Sequence, residues 1–92
     1  MFRALTGWIE KRRQIRRLWQ QDARVMIERH GRLSYYEAQR LAARRRAQGD
    51  GSGFSHWAKV ASEVARLSPV AEMDMKVVQA IADEEMRKHH NP

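Results

Sequence analysis

Apolar residues recur along this chain at helical spacing in four stretches, and nowhere do they alternate with polar ones as a strand would require. Trp57, Val60, Ala61, Val64 and Leu67 fall three and four positions apart, which places them on one face of a helix over 55–67. Upstream, Tyr35, Ala38, Leu41 and Ala42 form a narrower strip on a helix predicted over 34–48, and its small side chains would let a neighbouring helix approach closely. Ser34 and Glu37 have the spacing of a capping box. The Ser34 hydroxyl would accept from the Glu37 N–H while the Glu37 carboxylate accepts from the Ser34 N–H. Gly49 should end this helix in the left-handed conformation, and the glycine-rich run 49–54 reads as a mobile loop before a cap at Ser55 or Ser52. Ser68-Pro69 then signals a last helix over 69–88, with Met73, Val77, Ala80 and Ile81 in one stripe that Val70 extends.

The first thirty residues are helical in pattern but carry two stripes that do not line up. Phe2, Leu5, Trp8 and Ile9 share one side, whereas Ile15, Leu18, Trp19, Ala23 and Met26 follow a second, rotated from the first. This divides the segment into a helix over 10–31, stopped by Gly31, and an apolar appendage over 1–9. The appendage either folds back through a break at Gly7 or projects to bury Phe2, Leu5, Trp8 and Ile9 against a partner. Arg12 and Arg16 lie in the extension of the first stripe, so one lipid-embedded face would bury two guanidinium groups at a cost of several kcal/mol each. The same periodicities predict a core of Ile15, Leu18, Trp19, Met26, Leu41, Trp57, Val60, Val64, Val77 and Ile81. The expected fold is all-α, a single domain over 1–92 built as a small bundle of three to four helices with a long, basic N-terminal helix.

Length limits this domain to one small core. Without cysteine there is no disulfide, thiolate chemistry or cysteine-held zinc. No apolar run nears the roughly 20 residues that span a bilayer, and Met1–Trp8 lacks the pattern of a signal peptide, so a cytoplasmic protein with no transmembrane segment is expected. Charge changes the picture more. Residues 1–48 hold 13 Lys/Arg against 4 Asp/Glu, a balance of +9, and residues 49–92 hold 5 against 7, a balance of −2. Arg outnumbers Lys by 14 to 4, and guanidinium forks suit phosphate and carboxylate.

Catalytic patterns fail on inspection. Gly49-Asp50-Gly51-Ser52-Gly53 lacks the entering strand and the following Lys of a phosphate loop, and it has too few oxygen ligands for calcium. Glu85 and His89 share a helix face but make only two ligands at a chain end. His30 complements the end of its helix, and His56 beside Trp57 reads as a half-buried packing residue. Neither histidine has a nucleophile in reach of a recognisable motif. No enzyme, metal or cofactor is expected. The remaining signal is basic: Lys11, Arg12, Arg13, Arg16 and Arg17, with Arg40, Arg44, Arg45 and Arg46, could meet an anionic surface. The leading reading is a non-catalytic helical binding or adaptor protein that docks to a larger protein or to its own copy, with peripheral contact to anionic membrane as one use of the basic face. The alternative is a sequence-tolerant nucleic-acid binder that uses both arginine clusters.

Residues 22–66 also resemble small uncharacterised helical proteins of alphaproteobacteria. The likeness is carried by His30-Gly31, Tyr36-Glu37-Ala38, Gly49-Asp50, His56-Trp57, Val60-Ala61 and Val64-Ala65-Arg66. It implies a bacterial origin and no particular activity.

Overall fold

The computed structural model describes the backbone of residues 2–90 and the side chains of residues 7–90. Among these residues there are four α-helices and no strand: α1 (Phe2–His30), α2 (Ser34–Ala47), α3 (Gly51–Leu67) and α4 (Met75–His90), with a 3-10 turn at Gly31–Leu33. The protein is all-α.

Two glycines punctuate the chain as expected. Gly31 and Gly49 have φ of 55° and 77°, left-handed values that a side chain would resist. The other boundaries differ from expectation. Ser34 does not cap α2, because the 3-10 turn runs straight into the helix and leaves Ser34 already helical at φ −60° and ψ −37°. Leu33 holds the cap position without a side-chain bond, and the buried Ser34 hydroxyl has no hydrogen-bond partner. Helix α3 begins at Gly51 rather than at 55, because Asp50 takes the cap and its Oδ1 accepts from Gly53 N at 2.9 Å. The expected loop over 49–54 therefore shrinks to a tight turn, closed by Gly49 N and Asp50 N donating to the carbonyls of Arg46 and Arg45. Helix α4 begins at Met75 rather than at 69. Ser68 instead ends α3 in an extended conformation, which the following Pro69 favours, and Asp74 starts α4 by accepting from Lys76 N at 2.9 Å. The intervening segment is pinned by Glu72 N donating to Arg32 O and Asp74 N donating to the Tyr36 hydroxyl, both at 2.8 Å.

The core is built from small side chains. Ala23, Met26, Ala38, Val60, Ala61, Val64 and Ala71 form one buried cluster, with Trp19, Ile27, Tyr35, Leu41, Trp57 and Leu67 packed around it. Of the residues expected inside, Met26, Val60, Val64 and Ile81 are buried and Trp19, Leu41 and Trp57 are half-buried. Ile15, Leu18 and Val77 are exposed, which corrects the expectation for those three. The reasons are geometric. Asp22, Trp19 and Arg16 of α1 meet His56, Lys59 and Glu63 of α3 through their side chains, and Leu18 lies on the flank of the α1 face that makes these contacts. The chain leaving α3 turns back to Arg32, where Glu72 N bonds the carbonyl at 2.8 Å, so α3 does not continue along the start of α1. Val77 sits on the flank of α4, which among the described residues packs against α2 and no other helix.

That pairing is thin. Ile81 and Glu85 are the buried residues of α4, and a gap of about 350 Å³ remains between α2 and α4, bordered by Ala42, Ala43, Phe54, Val78, Ala82 and Met86.

Candidate docking surface

Helix α1 passes through Gly7 without a break, and at about 1.5 Å per residue its 29 residues make it the longest element of a molecule 51 Å in its longest dimension. The fold-back at Gly7 does not occur. Steps of four, three and four residues connect Trp8, Arg12, Ile15 and Trp19, and further steps of four and three reach the buried Ala23 and Met26. The face of α1 that builds the core thus continues past the body as an open strip. Trp8 is 54% exposed, Ile15 46% and Leu18 55%, and Ile9 is exposed beside them. The expected offset between two stripes holds only for Ile9 and Leu18, which flank this strip on either side. Phe2 and Leu5, the remaining expected anchors, lie outside the described side chains.

Arginines stiffen the strip. The Arg12 guanidinium lies 4.2 Å from the centroid of the Trp8 ring, a cation–π contact that fixes the indole against the helix. Arg16 Nε stands 3.5 Å from Glu63 Oε1, and Arg66 holds the other carboxylate oxygen of Glu63 at 2.7 Å. Glu63 is buried under these two cations. A cleft of about 390 Å³ opens among Arg12, Ile15, Arg16 and Trp19. Among the described residues, no carboxylate lies within ion-pair distance of Lys11, Arg13 or Arg17.

The second cluster divides in two. Arg40 and Arg44, expected to face an anionic surface, instead fasten α4. Arg40 Nη1 is 3.2 Å from Glu84 Oε2, and Arg44 Nη2 is 3.2 Å from Glu85 Oε1. Lys88 adds a contact to Glu84 at 3.4 Å. Arg45 and Arg46 remain exposed, with Arg46 5.6 Å from the centroid of Phe54. The nine expected cations are thus not all free for one surface, because Arg16, Arg40 and Arg44 are paired with carboxylates of the fold. The sequence reading also missed Glu63 and Glu85 as buried carboxylates. Glu85 follows Ile81 by one turn, so the spacing placed it on the same inward face.

No family model matches the chain, and no curated protein or solved structure matches it. Among the described residues, no group of three or more His, Cys, Asp or Glu could hold a metal ion, and no helix is long and apolar enough to cross a membrane. His56 is half-buried, with Nε2 2.7 Å from Asp22 Oδ2 and its ring edge-on to Trp57, so it ties α3 to α1.

The Arg40 hydrogen bond, then the charge of Lys88, holds the Glu84 carboxyl below its ordinary value of 4.5. A carboxyl whose pKa is lowered by folding contributes stability above its unfolded value and loses it as the pH falls through the folded value. Amide protection factors in α4, which correct for the intrinsic pH dependence of exchange, should accordingly be high at neutral pH and fall as the pH drops below about 4.5, ahead of those in α3. Glu84→Gln should flatten that dependence. An unchanged profile in Glu84→Gln would remove Glu84 from the attachment of α4.

Proposed function

We propose that this protein is a non-catalytic docking module that binds a larger protein through the N-terminal part of α1. One observation carries the reading: Trp8, Ile9 and Ile15 stand exposed on a helix that outruns the α3 packed against it. Aromatic and arginine side chains dominate the energetics of protein interfaces, and here Trp8 and Arg12 stand together in a cation–π contact. An enzyme would need convergent titratable groups, and the cations and apolar residues of this strip form no such constellation.

Capture from native lysate on the full chain, compared with a Trp8→Ser/Ile9→Ser variant, tests the reading. The full chain should retain a defined partner that the variant loses while both melt at the same temperature. Equal retention by the two, together with monomeric light scattering for both, would sink it. The nucleic-acid reading draws on the same exposed Lys11, Arg12, Arg13, Arg16 and Arg17 and separates by salt response. Five phosphate contacts give a logarithmic slope of about −4.5 on duplex, whereas a dock centred on Trp8 and Ile15 should respond to salt far less.

A further inference from the structure

We propose that the gap between α2 and α4 binds a small zwitterion with an apolar body, of the class of an aromatic amino acid. The site is independent of the docking strip, since no residue of α1 borders it. Its origin lies in the sequence. Ala42, Ala43 and Ala82 face the gap with single methyl groups, too short to interlock as side chains do in a filled core. Phe54 at the start of α3, with Val78 and Met86 of α4, completes apolar walls around about 350 Å³. That volume falls at the lower end of the roughly 300–1,000 Å³ usual for small-molecule sites, which are apolar with a few polar groups that fix orientation.

The rim supplies one charge of each sign. The Arg46 guanidinium lies 5.6 Å from the centroid of the Phe54 ring, within cation–π reach, so its stem runs along the apolar wall. Across the gap, Asp83 accepts from Gln79 Nε2 at 3.0 Å through Oδ1. Among the described residues neither Arg46 nor Asp83 has an ion-pair partner, and Arg87, one turn beyond Asp83, is outside that distance as well. Arg46 and Asp83 thus border the same space without meeting each other.

This pairing of charges selects the occupant. A carboxylate alone would answer Arg46 but bring like charge toward Asp83, and an ammonium alone would do the reverse. A molecule that carries both satisfies both. Gln39 also borders the gap, and because its Nε2 already donates to the Tyr35 hydroxyl at 3.0 Å, its amide oxygen is left as a further acceptor for an ammonium. The body of the ligand has to be uncharged to lie against Ala43, Val78 and Ala82. An aromatic ring fits best there, because the polarizable thioether of Met86 makes favourable contacts at a ring edge.

Calorimetric titration of the full chain with L-phenylalanine, phenylpropionate and phenylethylamine tests the assignment, since the three share a ring and differ in the charges they carry. Phenylalanine should bind, and each singly charged analogue should bind about tenfold more weakly for want of one charged hydrogen bond. Arg46→Gln should bring phenylethylamine level with phenylalanine, and Asp83→Asn should do the same for phenylpropionate. Such reciprocal shifts cannot come from loss of folding. Ala82→Leu, which fills the gap, should weaken phenylalanine by about tenfold or more while the melting temperature holds or rises. Unchanged binding by Ala82→Leu would put the ligand elsewhere and overturn the site. The zwitterion falls if none of the three binds at millimolar concentration, if all bind equally, or if neither charge variant alters the preference.

Discussion

Ala38→Leu should destabilise the protein by about 3 kcal/mol, at the upper end of what overpacking a filled core costs. The position has no solvent exposure, and it sits in the cluster where Ala23, Met26, Val60, Ala61 and Val64 come together. Helix α2 packs against each of the other three helices, so a side chain inserted on its inner face has no direction in which to relax. Leucine has a helix propensity close to that of alanine, which leaves packing as the only term that changes much. The exposed Arg45→Leu on the same helix serves as the comparison, and away from buried features it should stay within about 0.5 kcal/mol. Urea midpoints measure both. A stability of 5–15 kcal/mol is the ordinary range for a domain, so the loss at Ala38 should be plain in the midpoint. If the two variants unfold together, the close approach of helices through Ala38 is wrong.

The same alanines explain how far the sequence could be read. Helical periodicity was enough to find four helices and the inward faces of α2 and α3, because Ala38, Ala42, Val60, Ala61 and Val64 recur at the period of a buried stripe. Gly31 and Gly49 were legible as stops because few other residues take their φ. The starts of α3 and α4 were not. Asp50 and Asp74 compete with nearby serines as caps, and the choice depends on contacts distant in sequence, such as Glu72 N to Arg32 O. Ile15 and Leu18 looked like core because periodicity reports which face a residue is on, not whether another helix reaches it. What exposes Ile15 is the course of the chain after α3, which returns to Arg32 instead of continuing along α1 toward Trp8. The exposure of Trp8 and Ile9 was legible from their pattern, but the continuity of the Trp8 face with Ala23 and Met26 was missed, since it required α1 to stay unbroken at Gly7. The division of the second arginine cluster was likewise hidden: nothing local distinguishes Arg40 and Arg44 from Arg45 and Arg46 until α4 lies across them.

That division carries the other large expected effect. Arg44→Met should destabilise the protein by about 3 kcal/mol, whereas Arg44→Met combined with Glu85→Leu should restore most of the loss. Glu85 is 1% exposed, its Oε2 has no hydrogen-bond partner, and its Oε1 relies on Arg44 at 3.2 Å. The next nearest cations, Arg40 at 3.7 Å and Lys88 at 3.9 Å, are beyond hydrogen-bond length. Taking Arg44 away therefore leaves a buried carboxylate without a strong partner, and breaking such a pair typically costs about 3–5 kcal/mol. Arg44 is itself partly exposed and its charge partly screened, which argues for the lower end of that range. Replacing both partners with apolar side chains of similar size removes the need for the pair, and such replacements are often neutral or stabilising. Leucine at 85 would also extend the contact that Ile81 makes one turn earlier, on the face that α4 buries. Denaturant unfolding of wild type, both single variants and the double closes the cycle. A double variant as unstable as Arg44→Met alone would mean that the ion pair does not hold α4 and that the packing of Ile81 does.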